Sequence, residues 1–544
     1  MNADIMNDEP MAPGLQVQAG YADLILSALR RRPDHIAFRF TDRNGDRAEL
    51  TYWQTAEQIE RIAGVLSSFA LPDGAGVALL AGPCPEAFTV MAAACLAGVR
   101  YTALHPLATE ENDRMVLKDS GTDLLLVADG QFQVRAEAAQ TRVMSLSALE
   151  SACELGTAGI GSGLGGQGRA LYLFYTGGTT GEPKGVMLRD RSLVANAWAC
   201  TTWEWPAETT MLLTTPMSHA AGLLVAPGLL RGASFELHRS FDPDRVVDAI
   251  ENGGVTATFV VPTMLYALLD HPRLSDANLS GLNWMLYGAA PIDPTRLEQA
   301  GAVFGPILSQ HYGQAEAPNA LTVLDTREHT DDPAVLGSCG RAMPGVEVVL
   351  LDEQGNETAT GVPGELCVRG PLVMDGYWNK PEQTAAALAN GWLHTGDVAR
   401  IDESGLISIV DRIKDTIISG GFNVYPREVE DSLGHHPAVA ACAVFGPRFS
   451  MGRSCYRRSR TEDGMVGHTR STHRAREIAQ GSDLGAQGDF DSGSAAAHCF
   501  GEDRQEGTPW RVTDLVTRQL PVRGRRQIQG RMAERVLARS IPLP

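Results

Sequence analysis

The densest grouping of chemistry-bearing residues in this sequence runs from Leu171 to Met187. An apolar, aromatic stretch of strand character feeds into Thr176, Gly177, Gly178, Thr179, Thr180 and Gly181. Lys184 follows after Glu182 and Pro183, and then a second apolar segment begins. Glycines let backbone N–H groups approach an anion, threonine hydroxyls donate to phosphate oxygens, and a lysine adds point charge. A nucleotide polyphosphate is the natural guest. The Walker pattern does not fit, because Lys184 sits between Pro183 and Gly185 with no Ser or Thr after it, which argues against a P-loop NTPase.

Other groupings follow in order along the chain. They are Pro216-Met217-Ser218-His219-Ala220-Ala221-Gly222, Tyr287-Gly288-Ala289-Ala290-Pro291 and Gln310-His311-Tyr312-Gly313-Gln314-Ala315-Glu316. Then come Gly364-Glu365-Leu366-Cys367-Val368-Arg369-Gly370, Gly376-Tyr377-Trp378 and Gly391-Trp392-Leu393-His394-Thr395-Gly396-Asp397. Asp411-Arg412-Ile413-Lys414-Asp415 and Ser419-Gly420-Gly421-Phe422-Asn423-Val424-Tyr425-Pro426 close the series. The Tyr175–Gly185 run resembles, almost letter for letter, the Tyr-Thr-Ser-Gly-Thr-Thr-Gly-x-Pro-Lys-Gly signature of adenylate-forming enzymes. That superfamily comprises acyl-CoA synthetases, peptide-synthetase adenylation domains and beetle luciferases. Gly177 stands where many members carry serine, and the later groupings resemble the superfamily's other motifs in the same order, over roughly residues 20 to 446.

The resemblance implies an ATP-dependent carboxylic acid:coenzyme A ligase. A carboxylate attacks the α-phosphate of Mg·ATP to give acyl-AMP, and a thiol then displaces AMP after a domain rotation. Thr176, Gly177, Gly178, Thr179, Thr180, Gly181 and Lys184 are then expected at the phosphates. Gly288, Ala289, Ala290 and Pro291 are expected beside the adenine, with His311, Tyr312, Gly313, Gln314 and Ala315 in the nucleotide site. His219 corresponds to the histidine that gates the acyl pocket. Glu316 is the expected Mg²⁺ ligand, since a carboxylate beside a polyphosphate needs a cation between them. Asp397 and Arg412 are expected at the ribose, Lys414 at the hinge pivot, and Gly420 and Gly421 beside the pantetheine arm. Thr176, Lys184, His219, Glu316 and Lys414 are the expected catalytic residues. Ala315 replaces the family threonine that touches the α-phosphate, a loss of about 1.5–3 kcal/mol if nothing substitutes.

These residues need a scaffold. The segments 21–31 and 51–71 read as amphipathic helices around a short strand at 37–40. Apolar runs at Gly76–Leu80, Leu124–Val127, Thr210–Thr214, Ala233–Leu237 and Thr256–Val261 read as strands, with helices at 85–97, 223–230, 244–252 and 264–270. Such alternation implies a mainly parallel sheet with helices on its faces. From 321 to 368 short alternating strands suggest a smaller β region. The expected fold is α/β: a large multi-sheet N-terminal domain, residues 1–411, and a small α+β C-terminal domain, 412–544, that is disrupted. Gly161 to Gly166 formally satisfies G-x-G-x-x-G, but a strand follows it instead of preceding it, so a connector is expected there.

A net charge of -19 over 544 residues argues against nucleic acid or an anionic membrane as a partner. Nine scattered cysteines without a Cys-x-x-Cys pair suggest reduced thiols, and the absence of a signal peptide or a bilayer-length apolar run suggests a cytoplasmic protein. The expected partners are a fatty acid first, an aryl acid second, and coenzyme A, with a homodimer left open. Loading of a carrier protein, or silent nucleotide or acyl binding, are the alternatives. Past Gly446 the texture changes: residues 451–544 hold no lysine, and Lys414 is the last one in the sequence. The family lysine that bridges carboxylate and phosphate is therefore missing, and impaired adenylation is expected. Residues 448–544 are read as a frameshift product, since Met451 to Arg460 can be reread one base later as the family's strand, a reading that resequencing of the gene tests.

Overall fold

A computed structural model of the chain describes residues 20–69, 71, 74–128, 130, 132, 135, 141–155, 171–176, 183–330, 332–419, 422–427, 429, 441–445 and 496–500. Strand Gly76–Leu80 is buried at every position and Leu171–Thr176 over its first four. Strands apolar on both faces must be covered by helices. Among the described residues they sit in a six-stranded sheet ordered Arg142–Ser145, Thr122–Val127, Gly76–Leu80, Arg100–Leu104, Leu171–Thr176, Lys184–Arg189. Every neighbouring pair is parallel except the last, an antiparallel hairpin.

A nine-stranded sheet follows the same logic. Its parallel centre runs Leu308–Gln314, Trp284–Gly288, Ala257–Val260, Thr210–Leu213, Ser234–Leu237, Ile36–Thr41, and antiparallel strands flank both edges. The smaller β region is a four-stranded sheet, Glu347–Leu351, Gly364–Arg369, Leu393–Ile401, Ile407–Arg412. The α/β architecture agrees with the reading of the sequence. No described helix is long and apolar enough to cross a membrane, and Cys84, Cys95, Cys153, Cys200, Cys339 and Cys367 are free thiols.

Local differences have local causes. The expected helix over 51–71 begins at Tyr52 and ends at Ser68, because Thr51 closes the strand Arg47–Thr51 and caps the helix. Its hydroxyl accepts from the Gln54 N–H at 3.1 Å while Gln54 Oε1 accepts from the Thr51 N–H at 2.8 Å, a reciprocal cap. The expected helix over 223–230 is two short ones, Ala220–Leu223 and Val225–Arg231. The chain turns tightly before the first, where a Cβ on Gly222 would lie 1.9 Å from the Met217 carbonyl oxygen.

A boundary between Ile409 and Val410 separates two compact units. In the second, Ile417–Ser419 pairs with Phe422–Val424, and Ala441–Phe445 with Ala496–Phe500, both antiparallel. The rest of the proposed frameshift product, and the glycine-rich connector from 156 on, lie outside the described residues.

Candidate active site

Thr176 and Lys184 are register partners at the base of the hairpin; Gly177, Gly178, Thr179, Thr180 and Gly181 lie outside the described residues. Lys184 Nζ stands 5.0 Å from the centroid of the Tyr377 ring, within cation–π range. Tyr377 Oη donates to Glu316 Oε1 at 2.7 Å. Burial and the Glu316 carboxylate raise the Tyr377 pKa, so the phenol remains a donor at neutral pH. One ring thus links the lysine and the carboxylate that the sequence placed 132 residues apart.

Backbone pairing brings Tyr377 there. Met187 N donates to Gly376 O at 2.9 Å, Trp378 N to Gly185 O at 2.8 Å and Asp375 N to Met187 O at 3.0 Å, which lays 375–378 along the strand Lys184–Arg189. Met374 N donates to Glu316 O at 2.8 Å. Asp375 also pairs with Arg189 at 2.8 Å and Arg191 at 2.9 Å, half-exposed contacts that add little beside the backbone bonds.

The second half of the site lies where Trp284–Gly288 and Leu308–Gln314 end. Gly288 is the register partner of His311, and a Cβ there would lie 2.3 Å from the His311 carbonyl oxygen and 3.1 Å from Nε2. Only glycine permits this approach. Ala289 follows with φ 66°, a left-handed conformation that costs a non-glycine residue about 1 kcal/mol or more, and Ala289, Ala290 and Pro291 are exposed. Tyr312 Oη donates to Asp397 Oδ2 at 2.5 Å, and burial together with Asp397 raises the Tyr312 pKa. Gln314 Nε2 reaches Tyr312 Oη and Thr395 O, each at 3.4 Å. Gly313, Ala315 and Glu316 complete this turn, all half-buried.

Asp397 is only 4% exposed, yet it belongs to a bulge. Pairing runs Glu365↔Val398 and then Cys367↔His394, so Thr395, Gly396 and Asp397 loop out of the ladder. Bulges of this sort re-aim side chains beside functional sites. Thr395 Oγ1 donates to Leu366 O at 2.6 Å and accepts from Asp397 N at 3.1 Å, which fixes the loop.

His219 stands at the position before the helix Ala220–Leu223 without a side-chain cap bond to it, and its Nδ1 lies 2.9 Å from Ser218 Oγ. Its ring meets Phe174 at 5.4 Å and His105 at 4.8 Å, both edge-on. His105 escaped the sequence reading because the strand Arg100–Leu104 that presents it carries no apolar run. Burial, then the neighbouring His105, lowers the His219 pKa to about 4, and burial lowers His311 to about 4. A histidine held neutral in the folded state contributes its full stability above the ordinary value near 6.5 and loses it as pH falls toward 4. Urea unfolding at pH 7 and pH 4.5 is therefore expected to show a smaller loss of stability in His219→Gln than in the wild type, by on the order of 2–3 kcal/mol. Equal losses would contradict a buried neutral His219.

Thr176, Gly288 and Glu316 lie at or just past carboxyl ends of strands in the two large sheets, and His219 lies in the connection that follows Thr210–Leu213; ligands bind open α/β sheets at such ends. Arg412 and Lys414 are exposed in the second unit, Lys414 in the 3₁₀ turn Ile413–Asp415, and Gly420 and Gly421 lie outside the described residues.

Comparison with known proteins gives the same direction. The family described as AMP-binding enzyme matches residues 26–378. The medium/long-chain fatty acid–CoA ligase FadD8 of Mycobacterium tuberculosis is 39% identical over 443 residues, covering 78% of this chain and 76% of the relative. A feruloyl-CoA synthase from an Amycolatopsis species is 38% identical over 406 residues, covering 73% of this chain and 80% of the relative. Among solved structures, the amide bond synthetase McbA of Marinactinospora thermotolerans superposes with a TM-score of 0.75 at 27% identity, covering 92% of each chain.

Proposed function

We propose, from the premise that this chain belongs to the AMP-binding enzyme family, that it is an ATP-dependent, AMP-forming ligase joining a carboxylic acid to coenzyme A through an acyl-adenylate. The observation that carries the proposal is the Lys184–Tyr377–Glu316 linkage at the Thr176–Lys184 pair, with the Tyr312–Asp397 bond one residue on from His311, the register partner of Gly288. In this reading Lys184 and the Thr176 end of the hairpin hold the phosphates. Ala289 to Pro291 present a flat backbone edge to the adenine, and Asp397 accepts from the ribose hydroxyls. Tyr312, already donating to Asp397, keeps that carboxylate aimed.

A half-buried Glu316 whose Oε1 is held by Tyr377 presents hard oxygen beside a polyphosphate site, and so fits Mg²⁺, which takes one or two carboxylates plus phosphates and water. When bound, that ion would neutralise phosphate charge. His219, Phe174 and His105 form an edge-on ring cluster suited to one wall of the acyl pocket, and His219 stays uncharged where an apolar acid must pass. Arg412 is proposed for the ribose, Lys414 for the hinge pivot, and Gly420 and Gly421 for the pantetheine arm in the thioester half-reaction. Because Lys414 is the last lysine in the sequence, adenylation is proposed to run slowly.

The acid proposed first is a fatty acid, supported by the likeness to FadD8. An aryl acid is the second reading, favoured by the aromatic edge at His105, Phe174 and His219. ATP–pyrophosphate exchange over a panel of fatty and aryl acids, followed by coenzyme A addition, tests the proposal. Acid-dependent exchange with CoA-dependent thioester is expected. No exchange with any acid overturns the ligase, and adenylate that forms but transfers only to a carrier protein overturns coenzyme A as the acceptor.

A further inference from the structure

Three side chains beside the Asp397 bulge take no part in the mechanism above. Glu365 and Cys367 stand two residues apart on the strand Gly364–Arg369, and His394 is the cross-strand register partner of Cys367. His394 Nδ1 lies 2.8 Å from Glu365 Oε2 and 3.5 Å from Cys367 Sγ. One imidazole oxygen-ligand contact and one sulfur contact therefore crowd onto a single ring nitrogen. His394 Nε2, the other nitrogen, is buried with no hydrogen-bond partner among the described residues. A purely structural network would spread its contacts over both nitrogens, since a single N–H cannot be shared well by a carboxylate and a thiol.

One carboxylate oxygen, one sulfur and one imidazole nitrogen, all within 4.8 Å of one another, make a different pattern. Zinc–ligand bonds of about 2.0–2.3 Å place tetrahedral ligand atoms roughly 3.3–3.7 Å apart, so rotamer shifts of under ~1 Å would seat an ion here. The mixed donor set selects against Mg²⁺ and Ca²⁺, which take oxygen alone, and favours zinc or a similar thiophilic ion.

We propose that Glu365, Cys367 and His394 form a binding site for a thiophilic divalent cation such as Zn²⁺, ligated by Oε2, Sγ and Nδ1 with a fourth position left to water or an exogenous ligand. With Nδ1 on the ion the ring proton sits on Nε2, and the metal–ligand bonds replace the contacts that Nδ1 makes with Glu365 and Cys367. The thiol proton leaves to solvent. Glu365 Oε1 is meanwhile held by the Gly396 N–H at 3.0 Å, so the ion is tied through one carboxylate to the backbone next to Asp397. The site is distinct from the Glu316 carboxylate and needs no nucleotide.

Co²⁺ is the probe, titrated into the full-length, reduced, metal-free protein with no substrate present. One equivalent is expected to produce a near-ultraviolet thiolate-to-cobalt charge-transfer band, which Zn²⁺ then bleaches by displacement. Cys367→Ser is expected to abolish the band, and Glu365→Gln and His394→Gln to weaken Co²⁺ binding by more than about tenfold. Near-ultraviolet circular dichroism checks that each variant is folded, and Glu365→Gln, which keeps the side-chain volume, serves if Cys367→Ser is not. Absence of the band in the wild type, or a band that persists in Cys367→Ser or is unchanged in affinity in Glu365→Gln, overturns the proposal. None of these readouts requires turnover, so the outcome is separable from that of the ligase proposal.

Discussion

Asp397→Ala is expected to weaken ATP binding by at least ~100-fold while leaving the protein folded. The carboxylate is buried and held by Tyr312 at 2.5 Å, so its orientation is set before any nucleotide arrives. In the proposed mode it accepts from two ribose hydroxyls. Each such charge-assisted bond is worth about 1.5–3 kcal/mol, and losing both removes roughly 3–6 kcal/mol of binding. The folded state loses one partner of the Tyr312 hydroxyl, a cost of about 1–3 kcal/mol, which a unit with so extensive a buried core tolerates. Tyr312→Phe provides the contrast. It keeps the acceptor and loses only the bond that aims it, so a loss of under about tenfold is expected. Equilibrium dialysis with labelled ATP measures both, and equal effects would show that Asp397 acts through Tyr312 and not through the ribose.

Lys184→Ala is expected to reduce acid-dependent pyrophosphate exchange by about 100- to 1,000-fold, the range seen when one fixed electrostatic group is removed from a transition state. Lys184 is the register partner of Thr176 and its ammonium stands over the Tyr377 ring, so strand pairing fixes where its side chain starts. Lys184→Arg should recover little, because a planar fork does not replace a compact point charge. Tyr377→Phe keeps the ring under Lys184 and deletes only the donor to Glu316, so its loss should be smaller and should appear mainly as weakened Mg²⁺ dependence. A Lys184→Ala enzyme with undiminished exchange would remove the hairpin from the chemistry.

Part of what the sequence groups together the fold also gathers: Lys184 and Glu316 meet through Tyr377, and Tyr312 meets Asp397. Glycines, hydroxyls and a lysine in one short run suggest an anion site from residue chemistry alone, whereas the expectation for Asp397 came with the family resemblance. What the sequence left hidden are relations set by register. Tyr377 reads only as part of a Gly-Tyr-Trp scaffold, and its place between Lys184 and Glu316 depends on backbone pairing of 375–378 with a strand some 190 residues earlier. His105 was missed with its strand, because Arg100-Tyr101-Thr102-Ala103-Leu104 gains burial from neighbours on both sides in the sheet and not from its own apolar run. The helix Glu110–Ser120 was missed for a similar reason: it carries acids at Glu110, Glu111 and Asp113 and a Thr109 cap, but few apolar residues. The bulge that re-aims Asp397 arises from a mismatch of two strands, which no single segment displays.

Calorimetric titration of Mg·ATP into the full-length protein, without acid or coenzyme A, most directly tests nucleotide capture by this hairpin and its partner loops. Saturable heat from one site per chain is predicted, reduced beyond measurement in Asp397→Ala. No heat from the wild type, or the same isotherm from both proteins, would contradict it.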